Sequence, residues 1–371
     1  MTKATKQCAA ETSGYDSQIA IVGGGAAGLV AAITAAKAGS GVTLFEQNDR
    51  VGKKILASGN GRCNITNTSL NVNDYFGTDP SFVDFALKEF SFNRFKKFCS
   101  SIGLLIQNRE DGRCYPLSNT AGSVVTALRE YALTCGVTIV CDAFISKVEK
   151  VSGCFQVHSG EQLFDSYDAV LIATGSEAAP QLGSNASGYA IAESFGHTVY
   201  PAYPSLVALE LDSQTHHKMS GTKQDAEVTL YINGKAEQSV RGDILFTRYG
   251  ISGFAILDIS QKASEALMNY QDVKIGLKLL TGYERQSLSE QIAALSKNVP
   301  DYTIETLLGG LISSKIVPHV LESCKIAPET PAANVNTKMM KQLSNTLCDW
   351  RFQVSDTHGF KHAEVSGGGV A

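Results

Sequence analysis

The stretch Ile19-Ala-Ile-Val-Gly-Gly-Gly-Ala-Ala-Gly28 places three glycines, Gly23, Gly25 and Gly28, at the spacing G-x-G-x-x-G. A short apolar run precedes them and an Ala-rich run follows, which puts the glycines in the turn between a strand and a helix. In such a turn the first glycine permits a tight bend, the second leaves room for a pyrophosphate, and the third allows close packing of helix on strand. The phosphates then lie at the helix N-terminus. The stretch therefore predicts a dinucleotide-binding unit.

A second apolar run, Val42–Phe45, ends at Glu46, eighteen residues after Gly28. A carboxylate at this distance is placed to accept hydrogen bonds from both hydroxyls of a ribose, and it disfavours a ribose 2′-phosphate. We assign the next residue, Gln47, to the same site. The unit from strand to carboxylate predicts the adenosine end of a dinucleotide site.

Residues 19–36 carry no charge and are long enough to suggest a membrane-spanning helix instead. The glycines in the middle of this run and the strand-like residues at its start favour strand, turn and helix. The residues ahead of it include Glu11 and Asp16, unlike the basic start of a signal peptide. We therefore expect residues 1–16 to form a flexible tail, and we expect no membrane partner.

The chain has 371 residues, more than one hydrophobic core usually organises, so we expect two domains. Its net charge is −4 and it has no basic runs, which argues against a nucleic-acid partner. Its nine cysteines are scattered without a C-x-x-C pair, so neither a metal site nor a disulfide framework is predicted. These features favour a cytoplasmic enzyme that acts on a small molecule.

The second informative stretch is Gly52-Lys-Lys-Ile-Leu-Ala-Ser-Gly-Asn-Gly-Arg-Cys-Asn-Ile-Thr-Asn67. Its density of Gly, Ser and Asn predicts a loop rather than a core element. Because it follows Glu46 closely, the loop could run along the phosphates and reach a redox ring, with Lys53, Lys54 and Arg62 as donors. For the two lysines, a solvated surface loop is the alternative.

Residues 23–67 resemble the HI0933-like family of bacterial NAD(P)/FAD-dependent oxidoreductases, whose second signature G-x-K-x-L-x-S-G-x-G-R-C-N-x-T-N is matched from Gly52 to Asn67. Residues 111–118, 173–175, 196–206 and 245–253 resemble later motifs of the family, so the resemblance covers nearly the whole chain after Asp16. It implies a fold with two dinucleotide-binding domains and a non-covalently held FAD.

The resemblance implies an extended FAD with adenosine at Glu46, pyrophosphate over Gly23–Gly28 and the flavin near Ser58–Asn64. The cofactor-binding residues predicted on this basis are Gly23, Gly25, Ala26, Ala27, Gly28, Glu46, Gln47, Lys53, Lys54, Ser58, Gly59, Gly61, Arg62, Cys63, Asn64, Ala173, Thr174, Gly175 and Gly368. Arg62 and Asn64 are the catalytic candidates, because a donor is needed where negative charge collects on a reduced flavin. Cys63 is interpreted as a packing residue because no resolving cysteine is near it in the sequence.

The chain departs from the family pattern in three places, one of which is residues 183–189, where Ala186 replaces a glycine of the family's G-S-T-G-D-G-Y segment. The family's A-T-G-G turn reads Ala173-Thr-Gly-Ser176, which removes a glycine's freedom from the turn. Family members also continue for several dozen residues after the position of Ala371, including a segment against the flavin. The resemblance therefore implies either a chain truncated at its C-terminus, with part of the cofactor site missing, or a crevice that another segment closes.

The expected fold class is α/β, with a Rossmann-like FAD-binding domain whose doubly wound sheet is mostly parallel, and an inserted mixed α+β substrate domain. The FAD-binding domain is assigned to residues 17–199 and 345–371, and the substrate domain to residues 200–344. Strands are predicted at 18–22, 42–46, 137–140, 143–150, 154–158, 169–173, 206–211, 227–232, 274–279, 350–354 and 360–365, and helices at 26–38, 80–102 with a break, 119–135, 186–195, 284–297 and 303–323.

The expected function is that of an FAD-dependent oxidoreductase, which transfers hydride between a transiently bound NAD(P)H and a small organic substrate. The resemblance leaves open an FAD-dependent amine oxidase that uses oxygen, since some family members are described as oxidising aminoacetone-like amines. A non-catalytic flavin-binding fragment is the third hypothesis.

Overall fold

The computed structural model describes residues 15–77, 79–213 and 215–371. Its contacts divide the chain into two compact units: the first ends at Ser176 and adds Gln181–Thr198, and the second comprises Glu177–Pro180 and Val199–Ala371. The flexible tail predicted for residues 1–16 lies outside the described residues, except for Tyr15 and Asp16.

The first unit contains ten strands and six α-helices among its described residues. The strands are β1 (Gln18–Val22), β2 (Gly41–Phe45), β3 (Thr66–Asn67), β4 (Ile106–Asn108), β5 (Arg113–Pro116), β6 (Thr138–Val140), β7 (Lys147–Val151), β8 (Cys154–Ser159), β9 (Gln162–Tyr167) and β10 (Ala169–Ile172). The helices are α1 (Ala26–Lys37), α2 (Lys53–Gly61), α3 (Asp84–Glu89), α4 (Phe92–Ser101), α5 (Ala121–Thr134) and α6 (Ser187–Ser194).

A four-stranded parallel sheet in the order β10-β1-β2-β6 organises this unit. Its register places Ile19 opposite Val42 on one side and opposite Ala169 on the other. The central strands are almost fully apolar because both faces of the sheet are covered. This confirms the α/β class and the Rossmann-like sheet.

The two faces of the parallel sheet are covered differently. Ile21 and Leu44 pack in one cluster with buried residues of α1 and α5, whereas Ala20 and Phe45 pack in another with residues of β7, β8 and β9. These three strands form an antiparallel sheet. Ile191 of α6 packs in the same cluster. Strands were predicted at 143–150 and 154–158, but the polar sequence of β9 did not indicate the third strand of this sheet.

The stretch after Gly52 begins as a helix, not as the predicted loop. Gly52 takes a left-handed conformation, with φ of +77°, just before α2, and Ile55 is buried in the core. Lys53 to Ala57 are residues that favour helices or tolerate them well, which explains the local structure. The chain leaves helical geometry at Ser58, and Gly59 and Asn60 are left-handed. The loop prediction holds only for this second part of the stretch.

The second unit is built on a closed antiparallel barrel. Its strands are β11 (Val199–Ser205), β12 (Leu209–Leu211), β13 (Lys223–Ile232), β14 (Lys235–Phe246), β15 (Gly250–Ser252), β16 (Val273–Lys278), β17 (Trp350–Thr357) and β18 (Val365–Val370). The helices are α7 (Thr215–Lys218), α8 (Phe254–Met268), α9 (Arg285–Asn298), α10 (Ile304–Gly309), α11 (Val317–Cys324) and α12 (Thr337–Cys348). The barrel order is β12-β15-β14-β13-β16-β17, and β11 pairs with β18.

The position of β17 corrects the domain boundary expected from the sequence. This strand pairs with β16 on one side and with β12 on the other, so it closes the barrel. Residues 345–371 therefore group with the second unit and not with the FAD-binding domain. Alternation identified 350–354 as a strand, but a local pattern does not name the strand's partners.

None of the described helices is both long enough and apolar enough to cross a membrane. The uncharged run at 19–36, which suggested a membrane helix, is divided between β1 and α1 by the glycine turn.

Candidate dinucleotide site

The three glycines of the turn differ in their surroundings as their spacing predicts. Gly23 has φ of +112°, and a Cβ atom there would lie 2.3 Å from the carbonyl oxygen of Ala173. A Cβ atom on Gly28 would lie 1.8 Å from the carbonyl oxygen of Gly23. A Cβ atom on Gly25 would meet no protein atom within 4 Å. Gly23 and Gly28 are thus required by backbone packing, whereas Gly25 borders open space.

The open space beside Gly25 is a cavity of about 300 Å³ at the carboxyl ends of the parallel strands. A cofactor site is expected at this edge of such a sheet. The predicted residues that line the cavity are Gly23, Gly25, Ala26, Ala27, Glu46, Gln47, Lys53, Lys54, Ala173, Thr174 and Gly175.

Other lining residues were not assigned from the sequence. They are Asn48, Gly52, Ala143, Phe144, Ile145, Leu182, Gly183, Ser184, Asn185 and Ser187, among others. The glycines at 183 and 188 offered a signal for this last segment, but their spacing is not that of a phosphate-binding turn, so no role was assigned. Phe144 and its neighbours belong to no motif, and only the folded structure shows that they line the cavity.

The remaining predicted site residues do not line this cavity. Gly28 packs beneath the turn, and Gly368 lies in the second unit. Ser58, Gly59, Gly61, Arg62, Cys63 and Asn64 lie at and after the end of α2. Arg62 and Asn64, the catalytic candidates, are exposed. The left-handed residues after Ser58 redirect the chain, so that the cavity is lined by α2 only as far as Ile55.

Arg62 has an aromatic partner on the neighbouring strand β5. Its guanidinium lies 5.4 Å from the centre of the Tyr115 ring, and Arg109 approaches the same ring at 5.7 Å. This arrangement is a cation–π contact that keeps positive charge beside the turn. Cys63 is buried, and burial raises the pKa of its thiol. A thiol with a raised pKa is a poor nucleophile, in keeping with the packing role predicted for Cys63.

Glu46 is 7% exposed and its carboxylate binds backbone donors of its own chain. Oε2 accepts from Gly24 N at 2.8 Å, and Oε1 accepts from Asn48 N at 2.9 Å and from Asn48 Nδ2 at 2.6 Å. A carboxylate has about four acceptor positions, so about one remains for a ligand hydroxyl. The prediction that Glu46 binds both ribose hydroxyls therefore requires Asn48 to release one of its bonds.

A polar wall joins the end of β2 to the segment before α6. Gln47 Nε2 donates to the carbonyl oxygen of Gly183, and Asn185 Nδ2 donates to Gln47 Oε1 at 2.8 Å. On the other side, Lys53 Nζ donates to Asn48 Oδ1 at 3.0 Å. These amide groups present donors and acceptors around the Glu46 end of the cavity, where an adenosine would be oriented.

The charge of the cavity suits a pyrophosphate. The first turn of α1 contains no acidic residue, and its N-cap, Gly25, makes no side-chain hydrogen bond. The partial positive charge of that helix end is therefore available to an anion. Lys53 Nζ lies 3.1 Å from Asp49 Oδ1, and the hydrogen bond from Lys53 lowers the pKa of Asp49. Within the described part of the chain, no acceptor binds Lys54 Nζ, and burial lowers the pKa of Lys54.

The family model for the HI0933-like protein Rossmann domain matches residues 17–370. The chain belongs to the HI0933-like family. It is 33% identical over 355 residues to a 3-dehydro-bile acid delta(4,6)-reductase of Clostridium scindens, which covers 95% of this chain and 86% of that protein. It is 30% identical over 353 residues to a ribosomal RNA dihydrouridine synthase of Haemophilus influenzae, which covers 94% of this chain and 85% of the relative.

Among solved structures, the chain is similar to a 3-ketosteroid-delta4-(5alpha)-dehydrogenase from Rhodococcus jostii RHA1. The TM-score is 0.44 and the identity is 13%, over 98% of this chain and 87% of that chain. By its family this protein is a flavoprotein oxidoreductase with a Rossmann domain, and the cofactor is FAD. The open cradle at Gly25 and the carboxylate of Glu46 fit the adenosine diphosphate half of that cofactor.

Replacing Lys54 with methionine tests the charge of the cavity. We expect the Kd for ADP, the half of FAD that this cavity suits, to rise about 10-fold at low salt, because one charge-assisted contact is lost. Since burial lowers the pKa of Lys54, ADP affinity of the unmodified chain should fall as the pH rises through that lowered pKa. The methionine variant should lack this decline. Calorimetric titrations with ADP across the alkaline range measure both effects.

Lys53→Met is the matched control, since Lys53 already pairs with Asp49. It should weaken ADP binding less than Lys54→Met does. An equal loss in the two variants, or an alkaline decline that persists in Lys54→Met, would show that Lys54 does not face the phosphates.

Proposed function

We propose that this flavoprotein reduces a carbon–carbon double bond conjugated to a carbonyl group, with NAD(P)H as the source of hydride. The observation that carries the proposal is the dinucleotide cavity at Gly25 and Glu46, in a chain with one relative named as a delta(4,6)-reductase and another named as a dihydrouridine synthase. A 3-oxo bile acid with 4,6 unsaturation and a uracil ring both contain a double bond conjugated to a carbonyl. The shared feature is the substrate class proposed here.

Several groups of the first unit would hold the cofactor. Glu46 and the amide wall would orient the adenosine, and the N-terminus of α1 with Lys54 would neutralise the pyrophosphate. Bound FAD would supply hydride to the substrate carbon distal to the carbonyl. The carbonyl oxygen then gains negative charge, which a positively charged or hydrogen-bond-donating group must stabilise. Arg62, beside Tyr115, remains the candidate for charge stabilisation near the flavin.

NAD(P)H would bind transiently, because the sequence contains only one G-x-G-x-x-G turn and that turn is assigned to FAD. A small-molecule substrate, the absence of a nucleic-acid partner and a cytoplasmic location stay predictions. The dihydrouridine synthase relative makes RNA the informative alternative substrate, and it should be tested beside small enones.

Anaerobic reduction of the FAD-loaded chain tests the proposal. NADH or NADPH should bleach the visible flavin absorbance, and addition of a 4-en-3-oxo steroid should restore it, with product heavier by the mass of two hydrogens. Uridine-containing RNA is tested in parallel, and restoration by RNA alone would replace the small-molecule substrate. Bleaching only by amines, with peroxide formed in air, would make the protein an amine oxidase. Failure of every donor would indicate a non-catalytic flavin-binding protein.

A further inference from the structure

The Glu46 carboxylate in the dinucleotide cavity has fewer free acceptor positions than two ribose hydroxyls require. Each carboxylate oxygen has about two acceptor positions. Those of Oε1 are both taken, by Asn48 N at 2.9 Å and by Asn48 Nδ2 at 2.6 Å. Gly24 N takes one position of Oε2 at 2.8 Å. Since no other described residue donates to this carboxylate, about one position of Oε2 is left for a nucleotide.

Both ribose hydroxyls can bind Glu46 only if the side-chain amide of Asn48 leaves Oε1. The backbone of Asn48 is fixed separately, because its carbonyl oxygen accepts a hydrogen bond from Asp142 N at 3.0 Å. Its main-chain N therefore stays on Oε1 whatever the side chain does. The freedom of the Asn48 side chain thus decides how many hydroxyls the carboxylate can accept.

A lysine holds the other end of the Asn48 amide. Lys53 Nζ donates to Asn48 Oδ1 at 3.0 Å, and the same Nζ lies 3.1 Å from Asp49 Oδ1. The amide is thus bonded at both ends, with Nδ2 on the Glu46 carboxylate and Oδ1 on the lysine. Hydrogen bonds with a charged partner are stronger than neutral ones. A rotation of the amide would break both bonds, and a ribose hydroxyl could replace only one of them.

Gly183 packs against a third side of the Asn48 amide. A Cβ atom on Gly183 would lie 2.6 Å from Asn48 Nδ2, 2.7 Å from Oδ1 and 3.0 Å from Cγ. Gly183 has φ of +91°, and its carbonyl oxygen accepts a hydrogen bond from Gln47 Nε2, which holds the glycine in place. Packing and hydrogen bonds together therefore keep the Asn48 amide against Glu46.

The other two amide side chains of the polar wall do not compete for the carboxylate. Asn185 Nδ2 donates to Gln47 Oε1 at 2.8 Å, and Asn185 Oδ1 accepts from Ser187 N at 2.9 Å. Within the described part of the chain, neither amide donates to Glu46. Asn48 is thus the side chain that limits what the carboxylate can bind.

We propose that Asn48 keeps its bonds when the cofactor binds, so that Glu46 accepts one ribose hydroxyl and not two. The free position of Oε2 accepts that hydroxyl, and the other hydroxyl finds no acceptor on the carboxylate. Asn48 is then a specificity-determining residue, because it restricts recognition by Glu46 to a single position of the ribose. This recognition involves residues of the first unit alone and does not depend on which substrate is reduced.

Calorimetric titrations of the cofactor-free chain with ADP, 2′-deoxy-ADP and 3′-deoxy-ADP test the proposal. One of the two deoxy nucleotides should bind about 10-fold more weakly than ADP, because it lacks a hydrogen bond to a charged acceptor. The other should bind within about 2-fold of ADP. Similar losses for both would show that Asn48 releases Glu46, and no loss for either would show that the carboxylate binds no ribose hydroxyl. Either result would overturn the proposal.

Asn48→Ala should change this pattern, because it vacates one acceptor position of Oε1. Both hydroxyls can then bind Glu46, so each deoxy nucleotide should bind about 10-fold more weakly than ADP does in the same variant. Comparison within one variant separates hydroxyl recognition from a general loss of affinity. If only one deoxy nucleotide is weakened here as well, Asn48 does not limit the carboxylate. The titrations of the unmodified chain remain decisive if this variant does not fold.

Asn185→Ala is the matched control, since it breaks the bonds of another amide in the same wall without touching Glu46. It should keep the pattern of the unmodified chain, with one deoxy nucleotide weakened. Loss of discrimination in Asn185→Ala as well would attribute the effect to the wall as a whole and overturn the role of Asn48.

NMR of the unmodified chain gives a second readout that follows the amide itself. The side-chain amide signals of Asn48, assigned by their absence in Asn48→Ala, should keep their hydrogen-bonded chemical shifts when ADP is added. Movement of these signals to the shifts of a free amide would show that the nucleotide displaces Asn48 from Glu46, contrary to the proposal.

Discussion

Replacing Gly25 with alanine is expected to weaken FAD binding by roughly 100-fold, about 2.7 kcal/mol, while the protein stays folded. The added methyl group would meet no protein atom within 4 Å and would stand where the pyrophosphate must approach the backbone. Gly25 has φ of −78°, a conformation that alanine adopts readily. Loss of a glycine N-cap should cost no more than about 1 kcal/mol of stability.

Gly28→Ala is the matched variant with the opposite signature. Its Cβ atom would lie 1.8 Å from the carbonyl oxygen of Gly23, so helix α1 must move away from strand β1. We expect a loss of about 3 kcal/mol or more in the free energy of unfolding, even without cofactor. Thermal unfolding of the cofactor-free proteins and FAD titrations of both variants provide the comparison.

The two alanine variants should differ in the property that they lose, which is FAD affinity in one and stability in the other. Gly25→Ala should unfold at nearly the temperature of the unmodified chain but bind FAD roughly 100-fold more weakly, whereas Gly28→Ala should be less stable before any cofactor is added. If Gly25→Ala binds FAD as tightly as the unmodified chain does, the pyrophosphate does not lie over this turn.

Glu46→Ala is the second change with a large expected effect. It removes the acceptor of the Gly24 and Asn48 backbone donors at a buried position, so we expect a loss of about 2 to 3 kcal/mol in the free energy of unfolding. It also removes the carboxylate that we expect to bind the ribose, so FAD affinity should fall by roughly 10- to 100-fold. Chemical denaturation and fluorescence titration with FAD measure the two losses separately.

Glu110→Ala provides the control for Glu46, since Glu110 is exposed and no described residue hydrogen-bonds to its side chain. Stability and FAD affinity should both be unchanged in it. Undiminished FAD affinity in Glu46→Ala, whatever its stability, would place the adenosine elsewhere.

The glycine turn could be predicted from the sequence because its requirements are local. At Gly28 a side chain is excluded by the carbonyl oxygen of Gly23 within the same strand–turn–helix unit, and the spacing of the glycines reflects that contact. Gly23 needs its positive φ for the same turn, although the atom that a Cβ would meet there belongs to Ala173, after strand β10. Glu46 follows the same logic, since it ends the adjacent strand β2. The adenosine half of the site was therefore accessible to sequence reasoning.

Contacts between distant segments were not accessible in the same way. Gln47 meets Gly183 and Asn185 only because the parallel sheet brings the end of β2 near the segment before α6. The closure of the barrel by β17 depends on pairing with β12 and β16, which no local alternation specifies.

The stretch from Gly52 to Asn64 shows how composition alone can mislead. Glycine, serine and asparagine dominate its second half, where left-handed residues do form a turn. In its first half, Lys53 to Ala57 form a helical turn that buries Ile55 and leaves Lys54 beside the cavity. Both lysines line the cavity, although the local structure that places them there is a helix and not the loop that was expected.

Titration of the purified, cofactor-free chain with FAD, in the presence and absence of ADP, tests the central claim most directly. We expect saturable binding of one FAD per chain, competition by ADP for the same cavity, and roughly 100-fold weaker binding in Gly25→Ala. FAD binding that ADP does not displace, or that is as tight in Gly25→Ala as in the unmodified chain, would contradict the assignment of this cavity as the cofactor site.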